Sequence, residues 1–254
     1  MPSSLDRVAD ALFALPGVEG VALGGSRAQG AAGPDSDWDL ALYYRDRFDP
    51  GSLRERGWPG SVSDLGGWGP VFNGGGKLEA EGLLIDVHYR DLTLIERIHD
   101  DAERGGFTIE PLLFHQAGLP SYLLLAELGI NRTLRGTVPR WEYPAALRRT
   151  APPIWWHHAD LTLLYAEEAH ARRGRVAQCA GLLSEAACQA AHAILAHRGQ
   201  WITNEKRLLD AAGLRGVDDV AAEPGREPAE LVRSAQRARA LLTDAVRAEG
   251  IRLA

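Results

Sequence analysis

Two aspartates two residues apart, Asp37 and Asp39, stand at the head of an apolar run, and a third, Asp86, interrupts another. Residues two apart in a strand project from the same face, so Asp37 and Asp39 point together. Carboxylates placed like this repel, and a fold keeps the pair only where a cation or a proton neutralises it. Asp86 lies inside Leu83–Tyr89 (LLIDVHY). If that run pairs with the one after Asp39, the three acids form one cluster of hard oxygen donors, which suits Mg2+ or Mn2+. Upstream lies the turn Gly24-Gly25-Ser26-Arg27. Its glycines let the main chain approach a phosphate closely, while successive N–H groups and a hydroxyl can cradle the oxygens. A phosphate cradle beside metal-binding carboxylates is equipment for in-line displacement at phosphorus.

The elements that must position these residues are legible along the chain. Ser3 and Asp6 form a capping pair ahead of Leu5, Val8, Leu12 and Phe13, which recur at helical spacing until Pro16-Gly17. Val18–Leu23, Asp39–Tyr44 and Leu83–Tyr89 read as strands, and the glycine-crowded stretch 57–77 as loops around short edge strands. Asp91 is placed to cap a helix carrying Leu94, Ile95 and Ile98. From Tyr143 onward the strand signals stop. Pro152-Pro153 reads as a hinge, followed by helices over about 154–173, 176–198 and 228–248 and a shorter one near 204–212. Residues 213–227 read as an exposed connector.

Composition narrows the partners. The 254 residues are 45% hydrophobic and 24% charged, with a formal net charge of −6. A chain that grips nucleic acid through phosphates needs a basic face, so a DNA or RNA substrate is disfavoured and a cationic small molecule favoured. No run of about 18 apolar residues implies a membrane span, and the first residues lack a secretory pattern. Cys179 and Cys188, nine apart on one expected helix, are too distant for an easy disulfide, which fits a reducing, cytoplasmic setting.

The segment GGSRAQGAAGPDSDWDL, with Asp86 as the separate strand acid, resembles the signature of the DNA polymerase β-like nucleotidyltransferase superfamily. The stretch FHQAGLPSYLLLAELGINRTLRG and a helical region containing NEKRLL look like its small-molecule branch, the antibiotic nucleotidyltransferases of the kanamycin type. The resemblance implies an α+β fold: a catalytic domain over 1–142, built on a small mixed sheet with flanking helices, and a helical bundle over 143–254 forming the other wall of a cleft. It implies Asp37, Asp39 and Asp86 as metal ligands for two Mg2+ ions, with Mn2+ as substitute, and Asp86 either as second-metal ligand or as base. It implies Gly25 and Ser26 as phosphate binders, with Arg27 adding charge. Lys206, with Lys77 one of only two lysines in the chain, is a candidate to reach the triphosphate, and Glu127 a further candidate base. Asn204 and Glu205 are equally suited to capping the following helix. Asp35 and Ser36 read as loop formers.

The implied reaction moves a nucleoside monophosphate, AMP from ATP by default, onto a hydroxyl of a small molecule, an aminoglycoside-like antibiotic being the model acceptor, and releases pyrophosphate. The alternative is an antitoxin-type or regulatory enzyme that modifies a protein or RNA partner. The helical half lacks the Arg, four to six residues, then His of the helical ribonucleases that accompany such enzymes, since seven residues separate Arg149 from His157.

Overall fold

Strict alternation along three strands decides which way the sheet faces. Leu40, Leu42 and Tyr44 share one face with Val21 and Leu23 and with Ile85, Val87 and Tyr89, and all are buried in one core cluster with Val8, Ala9 and Leu12. The opposite face therefore receives Asp39, Ala41 and Tyr43 from one strand and Asp86, His88 and Arg90 from another. The computed structural model describes residues 2–30, 33 and 36–252. Asp35 lies outside them.

In chain order the elements are α1 (Ser4–Phe13), β1 (Val18–Leu23), α2 (Gly25–Ala28), β2 (Trp38–Tyr44), α3 (Pro50–Arg54), β3 (Gly60–Val62), α4 (Gly69–Phe72), β4 (Gly75–Ala80), β5 (Leu83–Asp91) and α5 (Leu92–Glu103). A hairpin of β6 (Ile109–Leu112) and β7 (His115–Pro120) follows, then α6 (Leu123–Ile130) and β8 (Arg132–Gly136). The remainder is helical: α7 (Ala145–Tyr165), α8 (Val176–Arg198), α9 (Leu208–Ala212), α10 (Val217–Ala222) and α11 (Pro228–Ala248). The chain divides into two units, Met1–Asp100 with Ser121–Glu142, and Asp101–Pro120 with Tyr143–Ala254. The hairpin thus lies in the second unit, whereas the sequence reading counts it with the first segment.

The first unit holds a six-stranded mixed sheet, ordered β3-β4-β5-β2-β1-β8 among the described residues. Only β2 and β5 run parallel, and their register sets Asp39 opposite Asp86. β4 pairs antiparallel with β5 and sets Lys77 opposite Asp86. The Ser3–Asp6 capping box closes on α1, and the Asp91 side chain accepts from the Thr93 N–H at 2.9 Å at the start of α5. The glycine-rich stretch is more ordered than its composition suggests, since β3, α4 and the start of β4 fall within it.

On the polar face, α6 is tied to the sheet by a buried ion pair. Arg90 is 1% exposed. Its Nε donates to Glu127 and its Nη2 donates to Glu127 Oε1 at 2.7 Å. Nη1 donates to the carbonyls of Phe72 and Tyr89 at 3.0 and 2.9 Å. Burial works against the arginine charge, yet the Glu127 carboxylate holds its pKa above the ordinary value. Nearby, Asn131 donates to the Tyr43 hydroxyl at 2.9 Å.

In the second unit α7 and α8 pack along one another. Pro152 and Pro153 lie inside α7 rather than at a hinge; Pro152 is buried, and packing holds the helix through the missing N–H groups. The expected connector 213–227 contains α10, whose Val217 and Val220 are buried. By length and composition α8 could cross a membrane, but most of it is buried within the unit. Cys179 and Cys188 are free, buried thiols.

His192 is 4% exposed on α8 and stacks on Trp155 with centroids 4.4 Å apart. Its Nε2 lies 4.0 Å from Glu205 Oε1, a carboxylate already accepting from the N–H groups of Gln116 and Ala117 at 2.5 and 2.9 Å. Burial, reinforced by His115, pushes the His192 imidazole down to about 3 from an ordinary 6.5.

Two outcomes follow from these buried groups. Glu127→Ala strands the Arg90 charge and is expected to cost about 3–5 kcal/mol of stability, whereas Arg90→Met with Glu127→Leu recovers most of it; urea denaturation of wild type and the two variants measures this. His192 is neutral in the fold and charges on unfolding. The unfolded chain therefore binds the extra proton, and stability declines as pH falls from about 6.5 towards about 3. His192→Phe keeps a stacking ring that cannot titrate, so its stability should fall less across that window in pH-resolved denaturation.

Candidate active site

The site is built where β1 turns over into β2. Gly24 leaves β1 and donates its N–H to the Asp39 carbonyl at 2.8 Å, which locks the Gly-Ser turn against the first residues of β2. Gly25 has φ +59°, and a Cβ there would stand 1.8 Å from Asp39 Oδ2. The Asp39 carboxylate rests directly on this main chain, so position 25 requires glycine for conformation and for space alike. Ser26 follows, partly exposed, within α2.

Arg27 holds the loop that leads into the acids. Its Nε and Nη2 donate to the Ser36 carbonyl at 3.0 and 2.5 Å, and Nε also donates to the Asp37 carbonyl at 3.2 Å. Its guanidinium lies 4.1 Å over the Trp38 ring. In this structure Arg27 is thus engaged in presenting Asp37, where the resemblance implies phosphate contact.

Two of the carboxylates, Asp39 and Asp86, stand side by side on one face. Asp39 and Asp86 are register partners in the parallel pair, where directly opposite side chains are close neighbours. Asp37, just ahead of β2, is exposed and lines an open depression of about 340 Å3 with Lys77, Asp86, Pro59 and Leu84. Among the described residues, no three His, Cys, Asp or Glu side chains close into a metal cage. The donor set nevertheless fits Mg2+, which dehydrates reluctantly and is held by one or two carboxylates plus substrate phosphates rather than by an all-protein cage.

Two basic residues meet these acids. Lys77 Nζ lies 3.2 Å from Asp86 Oδ2, and His88 Nε2 lies 3.7 Å from Asp39 Oδ1. His88 Nδ1 is buried with no hydrogen-bond partner among the described residues, and its ring stands edge-on to Trp68 at 5.9 Å. Neither was singled out from the sequence. For His88 the signal was available, since it lies two residues beyond Asp86 in the same strand and must share its face. For Lys77 it was hidden in the glycine-rich stretch.

Asp39 and His88 also border a small cavity of about 50 Å3, with Arg90, Glu127 and Asn131 at its walls. Both Glu127 carboxylate oxygens accept from Arg90, so a role as base is set aside. Burial and the neighbouring Glu127 charge raise the Tyr43 phenol above its ordinary range. Lys206 belongs to the second unit, where it lines a depression of about 570 Å3 with Gln116, Glu205 and Arg215. Asn204 Oδ1 accepts from the Lys206 N–H at 3.0 Å, a local turn, and Glu205 turns to the β7 main chain rather than capping α9.

No curated protein matches the chain. Residues 5–102, which hold the Gly-Ser turn, the parallel strand pair and all three aspartates, match the family model of the nucleotidyltransferase domain, and the chain therefore carries the catalytic domain of a transferase of phosphorus-containing groups.

Proposed function

We propose that the first unit transfers AMP from ATP to a hydroxyl of a small, cationic molecule of the aminoglycoside kind, with Mg2+ held by Asp37, Asp39 and Asp86. The observation that carries this reading is the cross-strand pair of Asp39 and Asp86 beside the Gly24-Gly25-Ser26 turn. The metal, when bound, supplies positive charge to the triphosphate oxygens and to the leaving pyrophosphate. The chain's own residues do the rest. Main-chain N–H groups at Gly25 and Ser26, with the Ser26 hydroxyl, receive the terminal phosphates. Asp39 is fixed by its contact with Gly25, so it needs little reorganisation when the nucleotide arrives. Asp86, the register partner of Asp39, is the candidate to accept the proton of the acceptor hydroxyl. The acceptor class rests on the net charge of −6, which draws cations towards the protein.

The first test is calorimetric titration of the full chain with non-hydrolysable ATP, GTP, CTP and UTP analogues, with and without Mg2+. Mg2+-dependent binding, strongest for the ATP analogue, is expected, and Asp39→Asn should remove it while lowering turnover on the order of 100-fold or more. Undiminished transfer by a folded Asp39→Asn chain sinks the mechanism. Gly25→Ala offers an independent check. It places a methyl group where Asp39 Oδ2 now sits, so nucleotide binding should weaken about tenfold or more. The left-handed conformation adds a stability loss of about 1–2 kcal/mol, visible in thermal unfolding.

A further inference from the structure

We infer that Lys77 is a displaceable counter-ion of the carboxylate site: it holds Asp86 while no divalent cation is bound and yields it to the metal that arrives with the nucleotide. This rests on the metal reading of Asp39 and Asp86 proposed above.

Three strands carry the inference. Lys77 on β4, Asp86 on β5 and Asp39 on β2 are successive register partners, so their side chains stand in one row on one face. The row reads plus, minus, minus. The Lys77 ammonium reaches Asp86 Oδ2 at 3.2 Å, with its side chain 70% exposed and that of Asp86 only 21%. The ammonium therefore comes onto the carboxylate from the solvent side, along the depression that Asp37 also borders. An ion pair so exposed shifts an equilibrium by only a few-fold, which lets a divalent ion displace it.

The choice of lysine supports the same role. The chain has 28 basic residues of the Lys and Arg type, and all but Lys77 and Lys206 are arginine. Where the fold needs a permanent clamp it uses arginine, as Arg90 does on Glu127. An arginine opposite Asp86 would grip both oxygens in a planar fork and compete strongly with a metal. Lysine offers a point charge on a flexible stem, and once released it stays beside the depression, where phosphate oxygens give it a new partner. Metal loading then becomes coupled to nucleotide binding: the free chain binds divalent cations weakly, and the triphosphate relieves Lys77 of Asp86.

The test is Mn2+ binding to the full chain, followed by the electron paramagnetic resonance signal of free Mn2+, with and without α,β-methylene ATP. Wild type, Lys77→Met, Lys77→Arg and Asp39→Asn are compared, each checked for an unchanged thermal transition. Without nucleotide, Lys77→Met should bind Mn2+ about two- to fivefold more tightly than wild type, the worth of the exposed pair it removes. Lys77→Arg should show no such gain. With the nucleotide analogue, the advantage of Lys77→Met should disappear. Mn2+ binding that depends on Asp39 but is unchanged or weakened by Lys77→Met overturns the role of Lys77 alone. Absence of Mn2+ binding in every variant, with or without nucleotide, overturns the metal reading and Lys77 with it.

Discussion

The parallel pairing of β2 with β5 brings two carboxylates side by side, and much of the first unit can be understood as what makes that pairing tolerable. Asp39 and Asp86 cannot escape by rotation of their strands, because Leu40 and Leu42 on β2 and Ile85 and Val87 on β5 are anchored in the core behind them. A slip of one residue in either strand would exchange its two faces and bury its acid in the core. The register is therefore fixed by hydrophobic burial, and the electrostatic cost is borne at the solvent-facing end of the pair. Lys77 meets the charge of Asp86 there, His88 Nε2 lies 3.7 Å from Asp39, and the close contact with Gly25 limits the freedom of Asp39.

Strand β5 shows how one face serves two ends. Asp86, His88 and Arg90 follow at intervals of two, and their surroundings change from partly exposed at the first two to fully buried at Arg90. At the buried end a charge left unpaired would be intolerable, so Arg90 is closed by the carboxylate of Glu127 and by two carbonyls. At the exposed end a charge can be exchanged with solvent or ligand at small cost, and that is where the acids lie. This gradient separates the residues that hold the face together from those free to change partners. It also places Glu127 among the former, although its type and its neighbourhood suit a base.

The sequence carried the strand positions and the acid spacing because both depend on short-range periodicity. Val18–Leu23 is β1 as read, and Asp39–Tyr44 and Leu83–Tyr89 fall short of β2 and β5 by one and two residues. What it did not carry depends on contacts between distant segments. Lys77 looked like the end of a glycine loop, since nothing local reveals that Gly75 and Gly76 begin a strand held between β3 and β5. Pro152-Pro153 looked like a break, yet α7 continues because the burial of Ala151, Pro152, Trp155 and Trp156 outweighs the lost hydrogen bonds. The stretch around Val217 looked exposed because its polar residues outnumber the two valines that anchor it.

The family match ends at residue 102, but the face that carries the acids does not. β8, from residue 132 onward, adds the outer pairing to β1, the strand that delivers the Gly-Ser turn. α6 supplies Glu127 to the buried Arg90 and is followed by Asn131, which binds the Tyr43 hydroxyl. A segment cut at the family boundary would thus keep every proposed ligand of the metal and the triphosphate in the first unit. It would also leave a buried guanidinium without its counter-charge and an unpaired edge on β1. The proposed chemistry is concentrated in the first hundred residues, whereas the rigidity of its face requires 121–142 as well. The smallest part of this chain that satisfies both conditions is therefore discontinuous in sequence, with the excursion through residues 101–120 inserted between its two pieces.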